Sequence, residues 1–232
     1  MSPAARLARA LSLPLPWMLL GLGLRFMPTD GPRSSLGWVD WPLYAGVIGG
    51  FAARWQGQRL NVPATALAYL MLSLIFGAVY ELSLTVDGTG WGGMHPDTRT
   101  SFVLAFGDYA MLALSCLAAI RWLRLSPAQL FWLAFGASMT EGAVFTGVLW
   151  QIPPLFLPVF VAYYALAYAT FLVLPALVID IRPLWTGPDP GRANPLILIP
   201  LGFAIAFVVR VIWGLAYGPL VTDLFSLMPP GA

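Results

Sequence analysis

Apolar stretches long enough to cross a lipid bilayer recur from one end of this chain to the other, and the loops between them are too short to fold alone. A helix rises about 1.5 Å per residue, so about 20 apolar residues match the hydrocarbon thickness. Stretches near Leu11–Met27, Trp41–Ala53, Val62–Leu84, Ser101–Leu123, Pro127–Trp150, Leu155–Ile179 and Pro195–Val221 meet or approach that length. They predict an all-α protein, a polytopic transmembrane helix bundle of seven spans that forms one integral membrane domain over residues 1–232. Six spans is the alternative count, because the first stretch carries Pro14 and Pro16 and the second is short and rich in glycine. Composition agrees: 59% of residues are hydrophobic and 9% charged, against about 25% charged in an ordinary soluble domain.

Charge placement sets the expected orientation. All the basic residues are arginines, and with seven spans Arg6, Arg9, Arg54, Arg59, Arg121, Arg124, Arg182 and Arg192 fall on one face. Arg33 and Arg99 fall on the other, with Arg25 near it. Positive loops stay inside, so the N-terminus is expected in the cytoplasm and the C-terminus outside, in a multi-pass protein of the cell membrane. The N-terminal stretch resembles a signal peptide but has no convincing small-residue cleavage site, and reads as a retained anchor. The arginines are scattered rather than clustered, which argues against a nucleic-acid surface. Asn61 with Pro63, Ser126 with Pro127, and Asn194 with Pro195 are expected helix starts, each pairing a capping side chain with a proline suited to a first turn.

Four ionisable residues lie within the predicted spans: Glu81, Asp108, Glu141 and Arg210. Counting along each helix places Glu81 about 5 Å below the outer end of its span and the other three about 12 to 15 Å below. The spans run in alternating directions, so a shared depth is not imposed by sequence order. Each charge at depth costs on the order of 2.5 to 3.5 kcal/mol, and such groups normally face one another or a wet cavity. Three carboxyls against one guanidinium imply that at least one carboxyl holds a proton at neutral pH, giving an acid/base pair. Tyr69, Ser73 and Tyr80 lie near Glu81 on one helix, Tyr109 follows Asp108, Ser138 precedes Glu141 by one turn, and Tyr164 and Tyr168 are one turn apart. The candidate catalytic residues are therefore Glu81, Asp108, Glu141 and His95, with Arg210, Tyr80, Tyr109, Tyr164 and Tyr168 expected around the substrate.

His95 stands in the glycine-rich segment 87–101, which is expected to fold over the outer mouth of the bundle and could pass protons to the carboxylates. The plainer alternative is a turn at His95, Pro96 and Asp97, with Asp97 or Thr100 capping the next helix. Gly88, Gly90 and Gly93 match a dinucleotide-binding pattern by letter, but that pattern needs a preceding strand. One histidine and one cysteine, Cys116, cannot build a multi-residue metal or haem site, and a chain without lysine cannot hold retinal as a Schiff base. No cofactor is expected. Gly46 and Gly50 form a small-residue pair suited to close helix packing.

Glu81, the loop residues Asp97, Thr98 and Arg99, and a carboxylate on the next helix resemble elements of the emopamil-binding-like sterol isomerases. The spacing from Asp97 to Asp108 and the extra spans depart from that family. Short-looped spans with isolated carboxylates are also similar to membrane terpene cyclases, without a shared motif. Three functions remain in view. The first is an acid/base enzyme acting on an isoprenoid or other lipid, such as an isomerase or cyclase. The second is a nonenzymatic accessory or scaffold subunit of a membrane protein complex. The third is a proton-coupled transporter, disfavoured because no internal repeat is visible. Membrane lipids are the expected surroundings in every case.

Overall fold

Capping side chains and prolines set where several of the helices begin. The computed structural model describes residues 40–56, 62–86 and 98–226. The predicted first span and the glycine-rich loop with His95 lie outside the described residues, whereas the helix start expected at Asn61 and Pro63 is not found: Pro63 bridges Asp180, and the helix begins at Ala66, where Thr65 Oγ1 accepts the Ala68 amide at 3.1 Å. Among the described residues no strand forms, and the α-helices are α1 Asp40–Trp55, α2 Ala66–Val86, α3 Thr98–Leu123, α4 Pro127–Thr140, α5 Leu157–Leu172, α6 Leu174–Val178, α7 Pro195–Ile212 and α8 Gly218–Ser226. Ser126 accepts the Gln129 amide at 3.4 Å while Gln129 Oε1 accepts the Ser126 amide at 2.9 Å, a reciprocal cap for α4. Asn194 Oδ1 accepts the Ile197 amide at 3.2 Å and starts α7.

Three of the predicted spans differ from simple continuous helices. The segment from Val62 is extended before Ala66, because Asp180 donates its amide to the Val62 carbonyl and accepts the Ala64 amide, at 2.8 and 2.9 Å. The stretch 127–150 is not one helix: α4 passes into a π turn over Glu141–Phe145, breaks at Gly147, whose φ of +64° is open to glycine at little cost, and resumes as a single 3-10 turn over Val148–Trp150. The stretch 155–179 breaks at Val173, two residues ahead of Pro175, which has no amide proton to continue the ladder. Distant side chains satisfy carbonyls around this break. Tyr69 donates to the Leu172 carbonyl at 2.8 Å, and Arg54 donates to the Ala176 carbonyl at 3.0 Å. The last stretch continues from α7 through a π turn, Trp213–Tyr217, into α8.

These contacts gather the arginine-bearing segments at one end of the bundle. Thr186 and Gly191 donate their amides to the carbonyls of Arg121 and Arg124 at 3.1 and 2.9 Å. The Trp185 indole donates to Leu125, and the Gln129 side chain to Gly191 and Ala193. Helices α2, α4 and α7 leave this end, while α1, α3 and the α5–α6 pair arrive at it. At the other end Trp213 and Tyr217 donate to the carbonyls of Leu104 and Val103, tying the end of α7 to the start of α3.

The α4–α7 interface is the tightest in backbone terms. A Cβ added at Gly136 would run into the Ile199 carbonyl, and one at Gly202 into the Leu133 carbonyl. Helices this close are typical of small-residue packing. The pairs advance together, Gly136 with Ile199, Thr140 with Phe203 at 3.0 Å, and Phe145 with Phe207, so the helices run parallel. Gly50 of α1 packs against Leu177 of α6 within the bundle.

Large apolar side chains stand exposed in rows along two of the described helices. Leu67, Met71, Ile75 and Val79 form an exposed stripe along α2, and Phe203, Phe207, Val208, Val211, Ile212 and Leu215 are exposed along the α7 segment. Among the described residues two helices are long and apolar enough to cross a membrane, Phe102–Leu123 and Pro195–Asp223. Only 28% of the apolar window of the second is buried, unlike the core helix of a soluble protein. Glu81, Asp108, Ser138, Thr140, Thr170 and Arg210, in contrast, are buried.

Candidate functional site

Two turns beyond the close approach of α4 and α7, the same register delivers a charge pair. Leu133 lies against Gly202, and eight residues along each helix Arg210 Nη2 meets Glu141 Oε2 at 2.5 Å. The same nitrogen lies 3.2 Å from Asp108 Oδ2 on α3. Tyr168 of α5 donates to Glu141 Oε2 at 3.4 Å. Four helices thus contribute to one guanidinium–carboxyl cluster. Arg210 is held asymmetrically: the shorter contact goes to Glu141, whose side chain is 19% exposed, and the longer to Asp108, which is wholly buried.

The Asp108 carboxylate has an ion-pair contact but no hydrogen bond of good geometry at either oxygen. The two statements are compatible, because a guanidinium 3.2 Å away attracts a carboxylate without aiming an N–H at it. Such an acid, buried without a directed donor, carries a large desolvation cost that Arg210 offsets by charge alone.

Glu81 of α2 is 1% exposed and accepts the Tyr109 hydroxyl at 2.7 Å. The Tyr109 ring fits because α2 has Gly77 one turn before Glu81, where an added Cβ would lie 2.9 Å from the ring. Tyr109 follows Asp108 directly, so Glu81 and Arg210 are served by neighbouring side chains of α3. Phe171 joins the two halves, with ring centroids 4.6 Å from Tyr109 and 5.3 Å from Tyr168. Gly107, on the other side of Asp108, leaves space for the Tyr217 ring.

Both π turns border this cluster. Glu141 is the first residue of one, and the other begins at Trp213, one turn after Arg210. A π turn inserts an extra residue into the helical repeat, shifting the angular position of everything after it, and such turns are frequent at functional sites. The Phe145 ring, at the end of the first turn, lies 6.0 Å from the Arg210 guanidinium carbon, within cation–π range.

Of the residues expected from sequence, Glu81, Asp108, Glu141, Arg210, Tyr109 and Tyr168 come together. Tyr80 belongs to a neighbouring tyrosine group: the Tyr80 and Tyr163 hydroxyls are 3.5 Å apart, and Tyr163 stands edge-on to Tyr44 and to Tyr164, which also pairs with the Thr146 side chain and feels the Glu141 carboxylate, so that it borders both groups. Ser138 is turned back to the Phe135 carbonyl at 2.8 Å, while Tyr69 is engaged at Leu172. His95 lies outside the described residues. Sequence reasoning missed Phe145, Phe171, Gly77 and Gly107. The glycines beside Glu81 and Asp108 were the available signal, since each sits within one turn of a buried acid. Among the described residues no grouping of histidine, cysteine and carboxylates could hold a metal ion. Comparison with known protein families, curated proteins and solved structures gave no match.

Proposed function

We infer that the protein is a multi-pass membrane protein of seven spans, N-terminus in the cytoplasm, whose buried cluster is an acid/base site for an isoprenoid or other lipid. The observation that carries this reading is the meeting of Glu141, Arg210, Asp108 and Tyr168 from four helices inside a bundle with an apolar exterior. Hydrocarbon around the bundle makes the exposed leucine, isoleucine and phenylalanine side chains favourable rather than costly. The arginine-rich end then faces the cytoplasm, and the cluster sits in the outer half.

Within the triad two carboxyls face one guanidinium, so a single proton makes it neutral. That proton is the mobile element of the proposed chemistry. Glu141, the least buried carboxyl, meets the lipid's reacting group; Arg210 and Tyr168 hold it in position; Asp108 takes up or returns the proton as the charge on Glu141 changes. Glu81 with Tyr109 supplies a second carboxyl–hydroxyl pair along the same path. Tyrosine and phenylalanine faces suit a cationic lipid intermediate.

A second reading, a nonenzymatic accessory or scaffold subunit, is favoured by the closed pairing itself, since each charge in the triad has an internal partner and could serve packing alone. The test is to replace Glu81→Gln, Asp108→Asn and Glu141→Gln singly, then compare folded yield with the lipid profile of expressing cells. Loss or build-up of one lipid at unchanged yield supports the enzyme. An unchanged lipid profile, or a collapse of yield in all three, supports the scaffold.

A further inference from the structure

Toward the arginine-rich end, an open cavity of about 200 Å³ lies between the start of α2 and the last turns of α3. Leu114, Leu117, Ala118 and Arg121 line it at the i, i+3, i+4, i+7 spacing of one helix face, with Ala66, Trp122 and Leu184 as its other walls. The lining is mostly apolar, with Arg121 as its one charged residue. Arg121 is exposed, makes no ion pair among the described residues, and has its backbone carbonyl held by both the amide and the hydroxyl of Thr186 at 3.1 Å. The last turn of α3 is therefore fixed while its guanidinium is available. Arg124 follows three residues on, its guanidinium beside Gly187. Trp122 is 71% exposed at the same level, where an indole suits the headgroup boundary.

We propose that this groove is a binding site for an anionic phospholipid of the cytoplasmic leaflet. One acyl chain lies along Leu114, Leu117 and Ala118, and the phosphate meets Arg121 about 10 Å from Leu114 along the helix. The charge distinguishes the ligand: a zwitterionic lipid offers the same chains but brings its own cation to the mouth, whereas a single negative headgroup leaves the phosphate to the guanidinium. A free phosphate ester has no chain to fill the apolar floor and is not the ligand. The site is separate from the acid/base cluster, and it rests on the membrane reading rather than on the enzymatic one.

The full-length protein in detergent is titrated with phosphatidylglycerol or with phosphatidylcholine of matched chains, and retained lipid is counted by native mass spectrometry. Phosphatidylglycerol is expected to be retained preferentially. Arg121→Gln should lower that retention about fivefold and leave phosphatidylcholine unchanged, and Ala118→Phe, which fills the groove, should lower it without altering charge. Excess glycerol 1-phosphate should not displace the lipid. Equal retention of the two lipids, wild-type retention in both variants, or displacement by glycerol phosphate would each overturn the site. Alkaline extraction of membranes from expressing cells separates the two failures: release of the chain into the soluble fraction overturns the membrane reading, whereas a membrane-retained chain with no lipid preference overturns only the groove.

Discussion

Arg210 has two acidic neighbours of different character, and removing it would leave both without their cation. Asp108 is wholly buried, while Glu141 is partly exposed. Arg210→Gln is therefore expected to cost about 3 to 5 kcal/mol, the range for an orphaned buried charge. Adding Asp108→Asn should recover part of that loss, because the uncompensated charge is removed with its partner. Thermal unfolding in detergent reads both, and an additive double variant would show that the two residues do not interact. Tyr109→Phe keeps the ring that Gly77 accommodates and removes only the 2.7 Å bond to Glu81. A loss of about 1 to 3 kcal/mol is expected by the same measurement.

Between elements, backbone proximity decides which side chains can meet. Gly136→Ala places a Cβ against the Ile199 carbonyl, which as backbone cannot turn aside, so α4 and α7 must separate. A loss of about 1 to 3 kcal/mol is expected, the cost of overpacking, with the Glu141–Arg210 contact weakened as a consequence. Gly214→Ala is the control, since nothing lies within 4 Å of a Cβ there. It should be neutral or slightly stabilising, and an equal loss at both glycines would remove the packing explanation. At the arginine end Asp180 joins the turn after α6 to the start of α2. Burial raises its pKa, but the Arg182 bonds at 2.6 to 3.0 Å outweigh this and hold it below its ordinary value of 3.8. A lowered pKa stabilises the fold above the ordinary value, and that contribution disappears as pH falls through the folded-state value. The Tm difference between wild type and Asp180→Asn should therefore be present at neutral pH and vanish well below 3.8.

For the whole molecule the proposed orientation makes opposite demands on two exposed glutamines. Gln56 follows α1 at the arginine end, and Gln151 follows the short turn Val148–Trp150 at the other. Cys116 is 2% exposed and contributes little background. A membrane-impermeant thiol reagent added to intact cells should label Gln151→Cys and reach Gln56→Cys only after lysis. The reverse pattern would invert the bundle and place the charge cluster on the cytoplasmic side.

Helical class, the helix starts at Ser126 and Asn194, and a common level for Asp108, Glu141 and Arg210 along their helices were legible in the chain, because each depends on local chemistry or on counting residues at a constant rise. The pairing within that level was not. Depth comes from position along a helix, but contact depends on angle around it, and here the angle is set by the approach of α4 to α7 at Gly136 and Gly202 and by the π turns that begin at Glu141 and Trp213. Periodicity is blind to such a turn, since the residues before and after it are equally apolar. Tertiary structure alone therefore selected Glu141 and Asp108 as the partners of Arg210, gave Glu81 the hydroxyl of Tyr109, and drew Tyr80 into a neighbouring aromatic group. The physical reason is that helix-to-helix distance, unlike helix formation, is decided by surfaces that meet only when the chain is folded.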